Sequence, residues 1–154
     1  ANRSRQVSAS HGLPGDAVLL DAVQDAGNVG AILRTAAAAG VRNVLLGPGC
    51  AGAWTARVLR GGQGAHFSLA IREQVDLLAA LAACPATPVA TVAHGGRSLY
   101  QLDLSGPPYL VGPRLERAVQ TQQRVPALAG NGGQYSRMVS ELIRFLDWMF
   151  ARYR

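Results

Sequence analysis

Leu20-Asp21-Ala22-Val23-Gln24-Asp25-Ala26-Gly27-Asn28-Val29-Gly30-Ala31-Ile32-Leu33-Arg34-Thr35-Ala36 joins the end of an apolar strand, a short polar turn and the start of a helix. The wholly apolar Ala17–Leu20 reads as a buried strand, and the small and apolar residues from about position 28 to 39 read as a helix. Gly40 is a suitable stop, because glycine accepts the left-handed conformation that ends many helices. Asn28 stands where a capping side chain would accept from the N–H groups of the first turn. Gly27 and Gly30 leave room for another backbone or a ligand to come close. Arg34 follows Asn28 by six residues, a lone cation among small and apolar neighbours.

Outward from this junction the chain alternates strand and helix. Strands are expected at 41–46, 67–71, 88–92, 109–111 and, more briefly, 124–125. Helices are expected at 54–60 and 74–83, the second closed by Cys84-Pro85. Continuous apolar strands interleaved with helices predict an α/β fold with a mostly parallel sheet covered on both faces. Ligands in such sheets bind beyond the carboxyl ends of the strands, here the loops that begin near Asp21, Gly47, His94, Gly112 and Pro126. In the last segment Val139, Leu142, Ile143, Leu146, Met149, Phe150 and Tyr153 recur at helical spacing. That stripe predicts a helix over 136–154 packed on the sheet or across a subunit boundary. Residues 1–15, rich in Ser, Arg and Gly, read as a tail or linker ahead of one domain spanning 16–154.

A chain of 154 residues with 49% hydrophobic content can bury a full core, and with 6% aromatics that core is mostly Ala, Val and Leu. No apolar run approaches a membrane span, and the first five residues lack the apolar stretch of a secretory signal. Cys50 and Cys84 have no metal-ligand spacing, so two free thiols and a cytoplasmic location are expected, with no metal. All 15 basic residues are arginines against nine acids, a net charge of +6. That surplus favours an anionic partner, since a guanidinium offers phosphate both charge and forked donors. His66, beside Phe67, reads as structural.

The run Asp25-x-x-Asn28-x-Gly30-x-x-x-Arg34-Thr35-Ala36 resembles the first motif of the SpoU/TrmH branch of the SPOUT RNA methyltransferases. The similarity continues through Val44-Leu45-Leu46-Gly47-Pro48 and through Arg57-Val58-Leu59-Arg60-Gly61-Gly62-Gln63-Gly64-Ala65, and it fades after Gly112. The resemblance implies a SPOUT-type sheet with a C-terminal trefoil knot, S-adenosylmethionine as cofactor, methyl transfer to a ribose 2′-hydroxyl of rRNA or tRNA, and a homodimer. It places Arg34, Asn28 and Ser136 at the reacting centre. Arg34 suits a phosphate and a developing alkoxide; a guanidinium that keeps its proton above about pH 12 is a poor base. The cofactor would be held largely by backbone at Ala93, His94, Gly95, Gly112, Val125, Pro126 and Leu128.

Two motifs depart from the family pattern. Where the family has Gly-x-Glu-Gly-x-Gly after a strand, this chain has Gly112-Pro113-Arg114-Leu115-Glu116, with the glutamate out of register. Where the family has Ser-Leu-Asn, it has Ser136-Arg137-Met138, and a Met lacks the paired donor and acceptor of an amide. These departures support an alternative reading, an RNA-binding module of the same fold without turnover. A third reading, an unrelated nucleotide-binding domain, rests on Gly61-Gly62-Gln63-Gly64 alone.

Overall fold

The computed structural model describes residues 16–83, 88–92, 109–111 and 127–129. Its elements in chain order are β1 (Ala17–Leu20), α1 (Ala26–Ala38), β2 (Asn43–Leu46), α2 (Ala56–Gly62), a 3₁₀ turn (Ala65–Phe67), β3 (Ala70–Arg72), α3 (Leu77–Ala82), β4 (Pro88–Val92), β5 (Tyr109–Val111) and β6 (Ala127–Ala129). The strands form one sheet in the order β3-β2-β1-β5-β4-β6. Every pairing is parallel, with Leu20 opposite Leu46 and Leu19 opposite Val111. The expected tail 1–15 and terminal helix 136–154 lie outside the described residues.

The apolar continuity of β1 and β2 follows from burial on two sides. Val18, Leu20, Val44 and Leu46 pack with Val29, Ile32, Leu33 and Ala36 of α1 and Val58 of α2. Ala17, Leu19 and Leu45 face the other way, onto Leu77 and Leu81 of α3. Because side chains alternate along a strand, both parities must be apolar. Each fully buried Leu, Val or Ile contributes on the order of 1.5–3 kcal/mol.

Helix α1 begins two residues earlier than its sequence suggests, because the cap is Asp25. Its carboxylate Oδ1 accepts the Asn28 N–H at 2.8 Å. Asn28 is therefore the third helical residue and does not cap. Gly27 leaves space for that carboxylate, since a Cβ there would lie 2.9 Å from Asp25 Oδ1. Asp25→Ala is expected to cost about 1 kcal/mol, read as a fall of roughly 2–4 °C in the thermal midpoint. At the other end Gly40 (φ +78°) turns the chain out. Its N–H donates to the Ala37 carbonyl at 3.1 Å, and Val41 N–H donates to the Ala36 carbonyl at 3.0 Å. These are the two bonds of a Schellman motif, and they hold Val41 outside the strand, so β2 starts at Asn43.

Other boundaries shift for similar reasons. Thr55 takes extended backbone before α2, which leaves Trp54 outside the helix. Gly64 (φ +88°) opens the 3₁₀ turn, whose Phe67 the apolar pattern assigns to a strand, and β3 begins only at Ala70. Asp76 caps α3 through Oδ1, accepting from Leu78 and Ala79 N–H, each at 3.1 Å. The expected strand at 124–125 lies outside the described residues; β6 is Ala127–Ala129, with Leu128 opposite Thr91 of β4.

α1 and α2 touch through glycine. A Cβ on Gly30 would lie 2.9 Å from Gly61 Cα and 3.0 Å from the Val58 carbonyl oxygen. The close approach that Gly30 permits is thus that of another backbone. Gly30→Ala gains about 1 kcal/mol of helix propensity but must push the helices away from each other, at a cost of about 1–3 kcal/mol. A net loss of thermal stability is expected. Gly61→Ala, whose Cβ would meet Gly30 Cα at 3.3 Å, should cost less in the same melting experiment.

Candidate functional site at the carboxyl edge of the sheet

The strand order fixes where a crevice opens. From β1 the chain moves to β2 on one side, whereas from β5, the neighbour of β1 on the other side, it moves outward to β6. Connections that diverge from adjacent strands leave a gap above their carboxyl ends, the usual ligand site of an open parallel sheet. Here that gap lies beyond Leu20 and Val111, and Gly112 is the next residue in the chain after β5.

The loops on this edge are tied to one another. Gly47 N–H donates to the Leu20 carbonyl at 2.9 Å, Ala51 N–H to Val23 at 2.8 Å, and Val75 N–H to Leu46 at 3.0 Å. Ala53 is held on both sides: its N–H donates to Glu73 Oε1 at 2.7 Å, and its carbonyl accepts from His66 Nε2 at 2.8 Å. This bond assigns His66 the structural role expected of it. Ala22, in the β1–α1 loop, is a buried non-glycine residue at φ +49°. Local strain of this kind concentrates where a scaffold fixes a functional turn. An ion pair of 3.6 Å joins Asp25 to Arg57 across the exposed surface, where it adds little stability. Cys50 is half-buried and donates its thiol hydrogen to the Leu20 carbonyl at 3.2 Å. Burial pushes that thiol above its ordinary range, so it stays protonated at neutral pH and is no nucleophile.

Arg34 and Asn28 both lie on α1, Asn28 half-buried in the first turn and Arg34 exposed in the third. Six residues of helix separate them by about 9 Å along the axis and about 120° around it. On one α1 the two side chains therefore project in different directions. Arg34 stands four residues after Gly30 and is exposed. Ser136, Ala93, His94, Gly95, Gly112, Val125 and Pro126 lie outside the described residues. Leu128, expected in a cofactor loop, is the middle residue of β6, with its backbone in the sheet ladder. The Gly61-Gly62-Gln63-Gly64 cluster ends a helix instead of opening one, which removes the phosphate-loop reading. Among the described residues no cluster of His, Cys, Asp or Glu could hold a metal, and no helix is long and apolar enough to cross a membrane.

The sequence pattern does not single out Asp25 as the cap. The signal for Asp25 was its position one residue before the small-residue run, with Asn28 three residues on.

A doubly covered parallel sheet with its crevice at a strand-order reversal, carrying an Asn and an Arg on the first helix, defines a ligand-binding α/β domain. The family model of the SpoU rRNA Methylase family matches residues 16–112, and the chain belongs to that family. It is 52% identical over 59 residues to rRNA methyltransferase 3A, mitochondrial, of Danio rerio, a match covering 38% of this chain and 14% of that protein. It is 50% identical over 54 residues to the 23S rRNA (guanosine(2553)-2′-O)-methyltransferase RlmP of Bacillus subtilis, covering 35% of this chain and 22% of RlmP. The fold matches an AdoMet-bound rRNA methyltransferase from Sinorhizobium meliloti with a TM-score of 0.73 and 24% identity, over 94% of this chain and 59% of that one.

Proposed function

We propose that this chain is the catalytic domain of an RNA methyltransferase that uses S-adenosylmethionine to methylate a ribose 2′-hydroxyl of rRNA or tRNA. The observation that carries the reading is the first-motif helix, with Asn28 and Arg34, rising from the crevice between β1 and β5 in a chain of this family. The names of the relatives support rRNA as the substrate class, and that of RlmP supports the 2′-oxygen. An adenosyl group is suited to this edge of the sheet, because ligands of a parallel sheet bind beyond its carboxyl ends and a glycine, Gly112, follows β5. Ala93, His94, Gly95, Gly112, Val125 and Pro126 would hold the cofactor, with the following chain threaded as a trefoil knot. When bound, it supplies an electrophilic methyl group.

In this chain Arg34 holds the phosphate beside the target ribose and stabilises the developing alkoxide, whose proton passes to water. Asn28, relieved of capping, orients the ribose, and Ser136 completes the centre. Because one α1 separates Asn28 from Arg34, a homodimer is the arrangement in which the two could address one nucleotide. The test is transfer of a labelled methyl group from S-adenosylmethionine to RNA, followed by alkaline hydrolysis. Alkali cleaves RNA through a free 2′-hydroxyl, so label in alkali-resistant dinucleotides supports the proposal, and label on a base refutes it. RNA binding without transfer supports the second reading, a binding module, which the Met138 substitution favours.

A further inference from the structure

We infer that Trp54, with Arg57 and Arg60, forms a platform on which an unpaired nucleotide of the RNA stacks, a proposal that rests on the RNA reading above. Trp54 is 57% exposed, yet its loop is fixed. The flanking Ala53 is held by Glu73 and His66. Thr55 donates to the Gly52 carbonyl from its N–H at 3.2 Å and from its Oγ1 at 3.0 Å. The indole rests against the His66 ring, with centroids 5.1 Å apart and planes at 54°. A rigidly held, open indole is what base stacking requires, because the ring loses little freedom when a base covers it.

The charge around it is suited to phosphate. Arg57 and Arg60 follow Trp54 at three-residue intervals and are exposed, while Val58 and Gly62 form the buried side of α2. Two carboxylates are near, and both already serve main-chain donors: Asp25 accepts from Asn28 N–H and Glu73 from Ala53 N–H. Asp25 also reaches Arg57 at 3.6 Å, a loose and exposed pairing that a phosphate could replace. A second copy of the chain is a poorer occupant, because a two-fold contact sets a patch against itself. That would bring like-charged arginines together. A single strand offers both an aromatic face and phosphates at neighbouring positions.

The test is a titration of the full chain into a fluorescein-labelled, mixed-sequence single-stranded RNA oligomer and into its duplex, read by anisotropy. The single strand should bind more tightly than the duplex. Trp54→Ala should weaken single-strand binding about tenfold, and Trp54→Phe should restore most of the loss. Arg57→Gln and Arg60→Gln should each lower the slope of log affinity against log salt by about 0.7. Calorimetric affinity for S-adenosylmethionine should be unchanged in all four variants. Wild-type RNA affinity in Trp54→Ala overturns the platform. So does a Trp54→Ala variant that loses self-association in sedimentation while its RNA affinity stays intact, since that assigns the patch to a second copy. A wild-type chain that methylates RNA but is indifferent to Trp54 loses only the platform; one that binds no RNA loses both proposals.

Discussion

Replacing Arg34 with alanine is expected to lower methyl transfer by about 10²–10³-fold, the range seen when one preorganised donor to a developing oxyanion is removed. The affinity for S-adenosylmethionine should be unchanged, and so should the thermal midpoint. Stability is spared because Arg34 projects from the exposed side of α1, away from the core made by Ile32, Leu33 and Ala36. Arg34→Lys should recover only a fraction of the rate, since an ammonium supplies the charge without the planar fork that grips phosphate at two points. Single-turnover transfer at saturating RNA separates a chemical role from weakened binding. Transfer by Arg34→Ala at the wild-type rate would remove the residue from the mechanism.

Its neighbour in the chain should behave in the opposite way. Leu33 is fully buried against the sheet, and Leu33→Ala leaves a cavity in a close-packed core. A loss of about 2–5 kcal/mol is expected, a large share of the roughly 5–15 kcal/mol that holds a domain together. The thermal midpoint should fall by about 5–15 °C. At a temperature where the variant is still folded, its transfer rate per folded molecule should stay close to wild type. The pair divides α1 into a structural face and a functional one. Equal melting of both variants would contradict that division.

Much of this was legible in the residues themselves. The runs without a charged residue at Ala17–Leu20, Pro88–Val92 and Tyr109–Val111 mark strands with the bounds observed. The α1 junction was visible as a unit through its glycines and its lone Asn and Arg. Its cap was not, because Asp25 and Asn28 are equally good capping residues. Only the backbone, extended at Asp25 (φ −76°, ψ 117°), decides between them.

The helix–helix contact at Gly30 and Gly61 shows the same limit. Each glycine signals that something comes close, but nothing in the chain order says that they meet each other. Trp54 escaped notice because exposure is a property of the assembled surface. So is the double hold on Ala53 by Glu73, 20 residues away, and His66, 13 residues away. Leu128 was misplaced because a short apolar segment reads alike in a loop or an edge strand until its partner, β4, is known.

By itself the sequence determined the alternation of strands and helices, the burial of both sheet faces and the family to which the first-motif helix belongs. These are local or periodic properties, set by which side chains avoid water and how often they recur. Tertiary structure alone decided the strand order, and with it the crevice between β1 and β5, and the fixing of an open indole beside two arginines. Those depend on contacts between residues far apart in the chain, whose free energies become defined only when the sheet and its covering helices close together.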